Sequence, residues 1–512
     1  MSSPDLILDV LCVGAGFAGI FELYRLRSLG YSTKVFEAEG DIGGVWWRNC
    51  YPGARVDSVV PVYEFSDEKV WRDWSWSEIY PGRKELRRYF QHVDEKLDVR
   101  KDIVFNRKVV SAKWNADNDR WFVKSQDGFV VSARFFLLCV GNTSKIYIPD
   151  IPGLDRFRGA CHHTARWPQE GIDLHGKRVA VIGTGASGVQ VIQDVGPRAS
   201  SLTVYQRTPN IAFPMRQKSI DDDASRTMKH DVYSLVFRRR KQTSGGHSYA
   251  SYPKNSSDAT LEERFLFYED LWSRTGGLQV FSANYQDMQW NQQAKNEFYQ
   301  FWRSKVLERV QSPKFRAILA PEIPPHPVGA KRSSLEISYF DTFNLPNVDL
   351  IDLGQDPIIE ITANGILTAD GKEREFDVII LATGFDAMTG GINKYRRDRW
   401  HIYFRQMGER CANLLGNDDR QIPQLVFHLW TWRPDRIFEW ADVHSEEEWQ
   451  KEVLESMSSS LLSAPTSVFM GKNIPGKVSE PLSYVGGIPK YTELCRKKME
   501  NGFEGFSRSS IL

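Results

Sequence analysis

The chain has 512 residues and a formal net charge of +1. It is long enough for about three domains, and it has no global field to draw it to nucleic acid or an acidic membrane. Its 41% hydrophobic and 26% charged residues are the balance of an ordinary soluble protein, and no apolar run reaches the ~18 residues of a membrane span.

Asp5 and Asp9 interrupt the apolar stretch before the first glycine turn, so a secretory leader is not expected. Cys12, Cys50, Cys139, Cys161, Cys411 and Cys495 are scattered with no C-x-x-C pair. That spacing predicts reduced thiols in a cytoplasmic setting and argues against a disulfide-reductase flavoprotein. No metal site is predicted.

An apolar run from Leu8 to Val13 ends at Gly14 and reads as a buried strand. The turn Gly14-Ala15-Gly16-Phe17-Ala18-Gly19 follows. A helical apolar pattern then runs from Phe17 to Leu29, and a second strand, Thr33 to Phe36, stops at Glu37. This is the βαβ opening of a dinucleotide-binding fold. Gly14, Gly16 and Gly19 let the backbone bend tightly and aim N–H groups at a pyrophosphate. Glu37, 23 residues beyond Gly14, stands where a carboxylate grips ribose hydroxyls. A carboxylate there disfavours a 2′-phosphate, so the first site is predicted to take FAD.

The plan repeats downstream. Arg178–Ile182 and Leu202–Tyr205 flank Gly183-Thr184-Gly185-Ala186-Ser187-Gly188, and Val189 and Gln190 continue the expected helix. No carboxylate follows the second strand. Arg207 lies 24 residues past Gly183, with Thr208 beside it. A guanidinium can fork onto a 2′-phosphate, so the second site is predicted to take NADPH.

Residues 211–324 are polar and strand-poor, and Phe298, Phe301, Trp302, Val306 and Val310 recur at helical spacing. The run Arg238-Arg239-Arg240-Lys241 reads as a solvated helix face. Asp377 to Ala382 reads as a buried strand that returns the chain to the first domain. The predicted fold class is therefore α/β, with two Rossmann-like dinucleotide-binding domains and a helical insertion. The FAD-binding domain takes 1–145 and 377–512, the NADP-binding domain takes 146–210 and 325–376, and the insertion takes 211–324.

Between the two turns, Phe157, Gly159, His163, Trp167 and Pro168 spell F-x-G-x-x-x-H-x-x-x-W-P. This resembles the signature of the Baeyer–Villiger monooxygenases, flavoproteins that use NADPH and O2 to insert oxygen beside a ketone carbonyl. The stretch Gly43-Gly44-Val45-Trp46-Trp47-Arg48 through Tyr51-Pro52-Gly53-Ala54-Arg55-Val56-Asp57 resembles the family's G-G-T-W-Y-W-N-x-Y-P-G-A-R-x-D. Val45, Trp47 and Arg48 depart from that pattern. The resemblance implies that Val45, Trp46, Trp47, Arg48, Asp57, Ser58 and Tyr63 contact FAD, and that Arg55, Val56 and Asp57 also approach NADP.

The resemblance also maps the family's essential arginine to Arg332, in Lys331-Arg332, ahead of Tyr339-Phe340 and Asn344-Leu345-Pro346-Asn347-Val348. Its implied task is to keep a flavin C4a-peroxide anionic and then to stabilise the oxyanion of the ketone adduct. Asp57 would hold the arginine in place. His163 is expected to couple domain movement to the nicotinamide site, and His162 to pack. The implied reaction takes a ketone, NADPH and O2 to an ester or lactone, NADP and water, on a monomer.

Trp167-Pro168 argues against an N- or S-oxygenating flavin monooxygenase, whose related motif typically lacks that ending. A nucleotide-binding pseudoenzyme stays open, because the resemblance breaks twice. The family's Y-G-P-x-x-P-T-A-F-S-N-G-P-T-C is expected where residues 429–443 read Leu-Trp-Thr-Trp-Arg-Pro-Asp-Arg-Ile-Phe-Glu-Trp-Ala-Asp-Val. Sliding permitted codons by one nucleotide restores it, and residues from about 394 behave alike. Two frame-shifted stretches, 394–412 and 429–447, are expected. The second should lie outside the core and leave the flavin pocket open on one side.

Overall fold

The computed structural model describes residues 3–385, apart from positions 116, 142, 241 and 243–246. Both suspected frame-shifted stretches, and the expectation that one lies outside the core, fall outside the described residues.

The first sheet is built from β1 (Leu6–Val13), β2 (Thr33–Phe36), β3 (Ile103–Val104), β4 (Val109–Asn115), β5 (Arg120–Ser125) and β6 (Val130–Leu138), in the order β3-β2-β1-β6-β5-β4. The first four in that order run parallel, and β6-β5-β4 is an antiparallel ribbon. Leu11 and Cys12 point to opposite faces of β1, yet both are fully buried. A strand covered on both faces must be apolar throughout, which is why this run lacks polar alternation. The helix Phe17–Ser28 supplies part of the cover with Ile20, Leu23 and Leu26. The helix Arg83–Leu97 buries Leu86, Tyr89, Phe90 and Val93, one face at the helical period.

The second sheet repeats the core of this plan. It contains β7 (Ala160–His163), β8 (Arg178–Ile182) and β9 (Ser201–Gln206). A parallel pair, β10 (Phe213–Pro214) and β11 (Leu335–Glu336), stands apart from it. The chain continues through β12 (Val348–Asp352), a meander of β13 (Ile358–Ile361), β14 (Gly365–Thr368) and β15 (Glu373–Glu375), and then β16 (Val378–Leu381). The order β12-β9-β8-β16-β7 is parallel throughout. Within it, β12-β9-β8-β16 matches β3-β2-β1-β6 of the first sheet.

The placement of β16 corrects one expectation. The strand expected to return the chain to the first domain at 377 lies inside the second sheet, between β8 and β7. Its four residues are all buried, which requires a neighbour on each edge and cover on each face. Asp377 anchors its start, accepting from the Arg178 backbone N–H at 2.8 Å and from the Arg178 guanidinium at 2.9 Å.

The insertion sits between β10 and β11 and is helical as expected. Its longest helix, Gln292–Arg309, buries Phe298, Phe301, Trp302 and Val306, and Val310 at its end is buried too. Trp302 Nε1–H donates to Ala212 O at 2.8 Å, tying that helix to the neck of the insertion. The basic run is only partly a solvated face. Arg238 and Arg239 are exposed, whereas Arg240 turns inward to the Glu64 carbonyl at 3.4 Å. Among the described residues, no helix is long and apolar enough to cross a membrane.

Candidate active site

The two glycine turns are near copies. Gly14 and Gly183 have φ of +100° and +105°. A Cβ on Gly14 would stand 2.6 Å from Cys139 O, and one on Gly183 would stand 2.5 Å from Ala382 O. A Cβ on Gly19 would meet Gly14 O at 1.8 Å, and one on Gly188 would meet Gly183 O at 2.3 Å. Only glycine fits these four positions. The middle glycines differ, with nothing nearer than 3.8 Å to a Cβ on Gly16 and nothing within 4 Å of one on Gly185. The following helices, Phe17–Ser28 and Ala186–Val195, have no side-chain cap. Their first N–H groups and the space above the middle glycine form a cradle for a pyrophosphate, so both turns fit a dinucleotide.

Charge separates the turns. In the first, Glu37 Oε2 accepts from the Ala15 N–H at 2.6 Å and Oε1 from the Glu39 N–H at 2.8 Å, at 5% exposure. The carboxylate thus closes the turn. In the second, Arg207 leaves the end of β9 exposed, and its charge joins burial in holding the Lys331 ammonium below its usual range. Lys331, far away in the chain, therefore lies within electrostatic reach of Arg207, and a second cation near it suits a 2′-phosphate. The sequence reading cited Lys331 only as a neighbour of Arg332. Thr184 Oγ1–H donates to Thr208 O at 3.0 Å. Asn210 Nδ2 braces the same turn through Thr184 O at 2.7 Å and Ser334 Oγ at 2.8 Å, a pair the sequence reading missed.

The loop from Val45 to Tyr63 joins the two units. Val45–Arg48 is a short helix that buries Trp46, and Trp46 Nε1–H donates to Tyr63 Oη at 2.9 Å. Burial pushes the Tyr63 hydroxyl up to about 12, so it stays protonated. Trp47 lies under the Arg87 guanidinium, 4.9 Å from its ring centre, and Arg48 pairs with Glu39 at 2.6 Å. Val56 is buried and Ser58 half-buried. Tyr51 Oη–H donates to Gln190 Oε1 at 2.8 Å, and Gln190 Nε2–H donates to Arg55 O at 3.0 Å. Ser187 also hydrogen-bonds Tyr51. The first turn's loop is thus fastened to the second turn's helix.

The signature segment works as a fastener as well. Cys50 Sγ–H donates to Trp167 O at 3.1 Å, and Gln169, after Pro168, donates to Trp47 O at 2.7 Å. A Cβ on Gly159 would stand 2.6 Å from both Asp377 O and the Phe157 ring. His163 Nδ1 accepts from the Ala165 N–H and Nε2 faces Gly384 O, both at 3.1 Å. Burial holds its pKa down, so the ring is a neutral link between β7 and the segment after β16. His162 packs on Trp167, with ring centres 5.9 Å apart.

An ion pair also joins the two units. Arg332 Nε donates to Asp57 Oδ2 at 2.6 Å and Nη2 to Asp57 Oδ1 at 2.9 Å, across 275 positions of sequence. This forked geometry fixes the guanidinium plane and keeps it charged. Tyr63 and Tyr249 lie close enough to feel that charge.

This architecture has close counterparts. The flavin-binding monooxygenase-like family model matches residues 8–216. The chain is 40% identical to a cyclopentanone 1,2-monooxygenase of Comamonas sp. (strain NCIMB 9872), over 98% of this chain and 96% of that one. Among solved structures it resembles an oxidized steroid monooxygenase bound to NADP, with a TM-score of 0.80, 33% identity and coverage of 98% and 99%. It also resembles OTEMO in complex with FAD and NADP, with a TM-score of 0.82, 29% identity and coverage of 98% and 99%. The chain belongs to the Baeyer–Villiger group of the flavin-binding monooxygenases.

Proposed function

We infer that this chain inserts one oxygen of O2 beside a ketone carbonyl to give an ester or lactone, using FAD and NADPH. The observation that carries this is the Asp57–Arg332 pair, set between a carboxylate-closed turn and a dicationic one. The cyclopentanone 1,2-monooxygenase and the structure holding both FAD and NADP support it. Neither favours N- or S-oxygenation or a pseudoenzyme.

Gly14, Gly16, Gly19, Glu37, residues 45–48, Asp57, Ser58 and Tyr63 would hold FAD. Residues 184–190, Arg207, Thr208 and Lys331 would hold NADPH, with Arg55 and Val56 at their border. With both bound, the nicotinamide supplies hydride and the flavin delivers the oxygen taken from O2. Arg332 contributes a cation that never has to release a proton. Held by Asp57, it faces the negative charge that develops on the ketone oxygen, and a charge already oriented needs no reorganisation during reaction. Tyr63 keeps its proton and positions Trp46. His163 ties β7 to the segment after β16 and moves no proton.

One chain carries both turns and the ion pair, which supports a monomer as the working unit. The free thiols Cys12, Cys50, Cys139 and Cys161 support a cytoplasmic setting. The test is a ketone panel with purified, FAD-loaded protein. NADPH should be consumed with an ester or lactone of ketone mass plus one oxygen. NADPH oxidation that yields peroxide alone from every ketone would overturn the reading.

A further inference from the structure

A hydrogen-bonded path links the backbone around Asp57 to the backbone after Arg332, and it runs through the neck of the insertion. Its centre is the segment Ser77–Gly82. On one side this segment takes the Asp57 loop. Val56 N–H donates to Pro81 O at 3.2 Å, Val60 N–H donates to Ile79 O at 3.0 Å, and Arg55 bridges to Gly82. On the other side it takes the neck. Ile79 N–H donates to Lys218 O at 3.0 Å, and Ile220 N–H donates to Ser77 O at 2.8 Å. The neck in turn pairs with the residues that follow Arg332. Phe213 N–H donates to Ser334 O at 2.9 Å, and Met215 N–H donates to Glu336 O at 2.8 Å. The Asp57–Arg332 ion pair closes this frame.

The frame has a joint between Met215 and Lys218, where the neck changes partner from β11 to Ser77–Gly82. Arg216 makes the change with φ of +53°, a left-handed turn that takes the backbone out of the ladder. The half-buried Gln217 side chain stands in for the missing strand residue. Its Oε1 accepts from Tyr80 N–H at 3.1 Å, and its Nε2 donates to Tyr80 O at 2.9 Å and to Glu78 Oε2 at 2.5 Å. Arg55, two residues before Asp57, donates to the same two acceptors, at 3.2 Å each. Tyr80 is buried, so its peptide groups require such partners. A side-chain amide offers donor and acceptor together without a charge, which is what this joint uses.

We propose that Gln217 is a positioning residue for oxygen insertion, whose amide joins the Asp57 loop to the neck and so sets how Asp57 and Arg332 align. This rests on the ketone-oxygenating reading and adds a residue to it. Among the described residues, Gln217 makes no hydrogen bond to either member of the ion pair, so it acts through Arg55, Glu78 and Tyr80. A displaced guanidinium still permits substrate to bind but meets the developing charge poorly, so kcat should suffer more than KM.

The test uses the FAD-loaded full chain with cyclopentanone, and ester and peroxide are measured per bound flavin. Gln217→Met keeps the length of the side chain and removes all three hydrogen bonds. It should lower kcat for ester about ten- to a hundredfold, the scale of a misplaced reacting group, with more peroxide per NADPH and little change in ketone KM. Gln217→Asn keeps an amide on a shorter stem and should show the same split at smaller size. Made in an Arg332→Ala background, Gln217→Met should cost less than about threefold more, because groups that act through one another are not additive. A merely structural role would cost the same in both backgrounds. The inference is overturned if both variants form ester at the full rate, if the loss falls on KM alone, or if it is undiminished in Arg332→Ala. Failure of the broader reading looks different, because then the unmodified chain yields no ester either.

Discussion

Placed side by side, the two nucleotide-binding units share their glycine geometry and differ in two chemical choices. Gly14 and Gly183 take the same strained backbone shape against the same carbonyl of the neighbouring strand. At the residue after the second strand, one unit has Glu37 and the other Arg207. Three residues beyond the third glycine, one helix buries Glu22 and the other Val191. The shared backbone plan fits a dinucleotide in each unit, and the proposed reading leaves the choice between FAD and NADPH to the charge at the strand end. Glu22 has no such use. Both its carboxylate oxygens are buried without a hydrogen-bond partner among the described residues, and burial lifts its pKa to about 8.

The harshest test of the parallel is to fill the third glycine in each unit. Gly19→Ala drives a Cβ into Gly14 O and should yield colourless protein without bound FAD. Gly188→Ala should stay yellow, yet show no NADPH-dependent flavin reduction. If Gly188→Ala also sheds flavin, the units are not independent in binding.

Arg332→Ala removes the cation at which the units meet. Ester formation should fall by about 3–4 kcal/mol of transition-state stabilisation, or several hundredfold, with FAD retained. An undiminished rate would place the chemistry elsewhere.

Glu22→Val copies the second unit's residue into the first. A folded-state pKa raised above the unfolded value means stability is fully present below about pH 4.5 and is lost as pH rises toward 8. The substitution should stabilise the fold by about 3 kcal/mol at pH 7 and by less than about 1 kcal/mol at pH 5. Denaturant midpoints at the two pH values check this. A gain independent of pH would mean that packing, and not charge, is responsible.

The mildest effect is on coenzyme choice. Arg207→Ala and Lys331→Ala should each weaken NADPH by about 1.5–3 kcal/mol, one charged phosphate contact, and leave NADH unchanged. If only Arg207→Ala erodes the NADPH/NADH ratio, Lys331 does not share the phosphate.

Local sequence was enough for the strands Leu6–Val13, Thr33–Phe36, Arg178–Ile182, Ser201–Gln206 and Val378–Leu381 and for both glycine turns, because apolar runs, helical patterns and glycine geometry are properties of neighbouring residues. The signature segment and the Arg332 assignment were legible only through family resemblance. No local pattern could show that Asp57 meets Arg332 across 275 positions, or that Lys331 lies within electrostatic reach of Arg207. The apolar run at Val378–Leu381 announces a buried strand but not its neighbours. A parallel sheet pairs segments far apart in the chain, so β16 could join the second sheet instead of the first without changing a residue of its pattern.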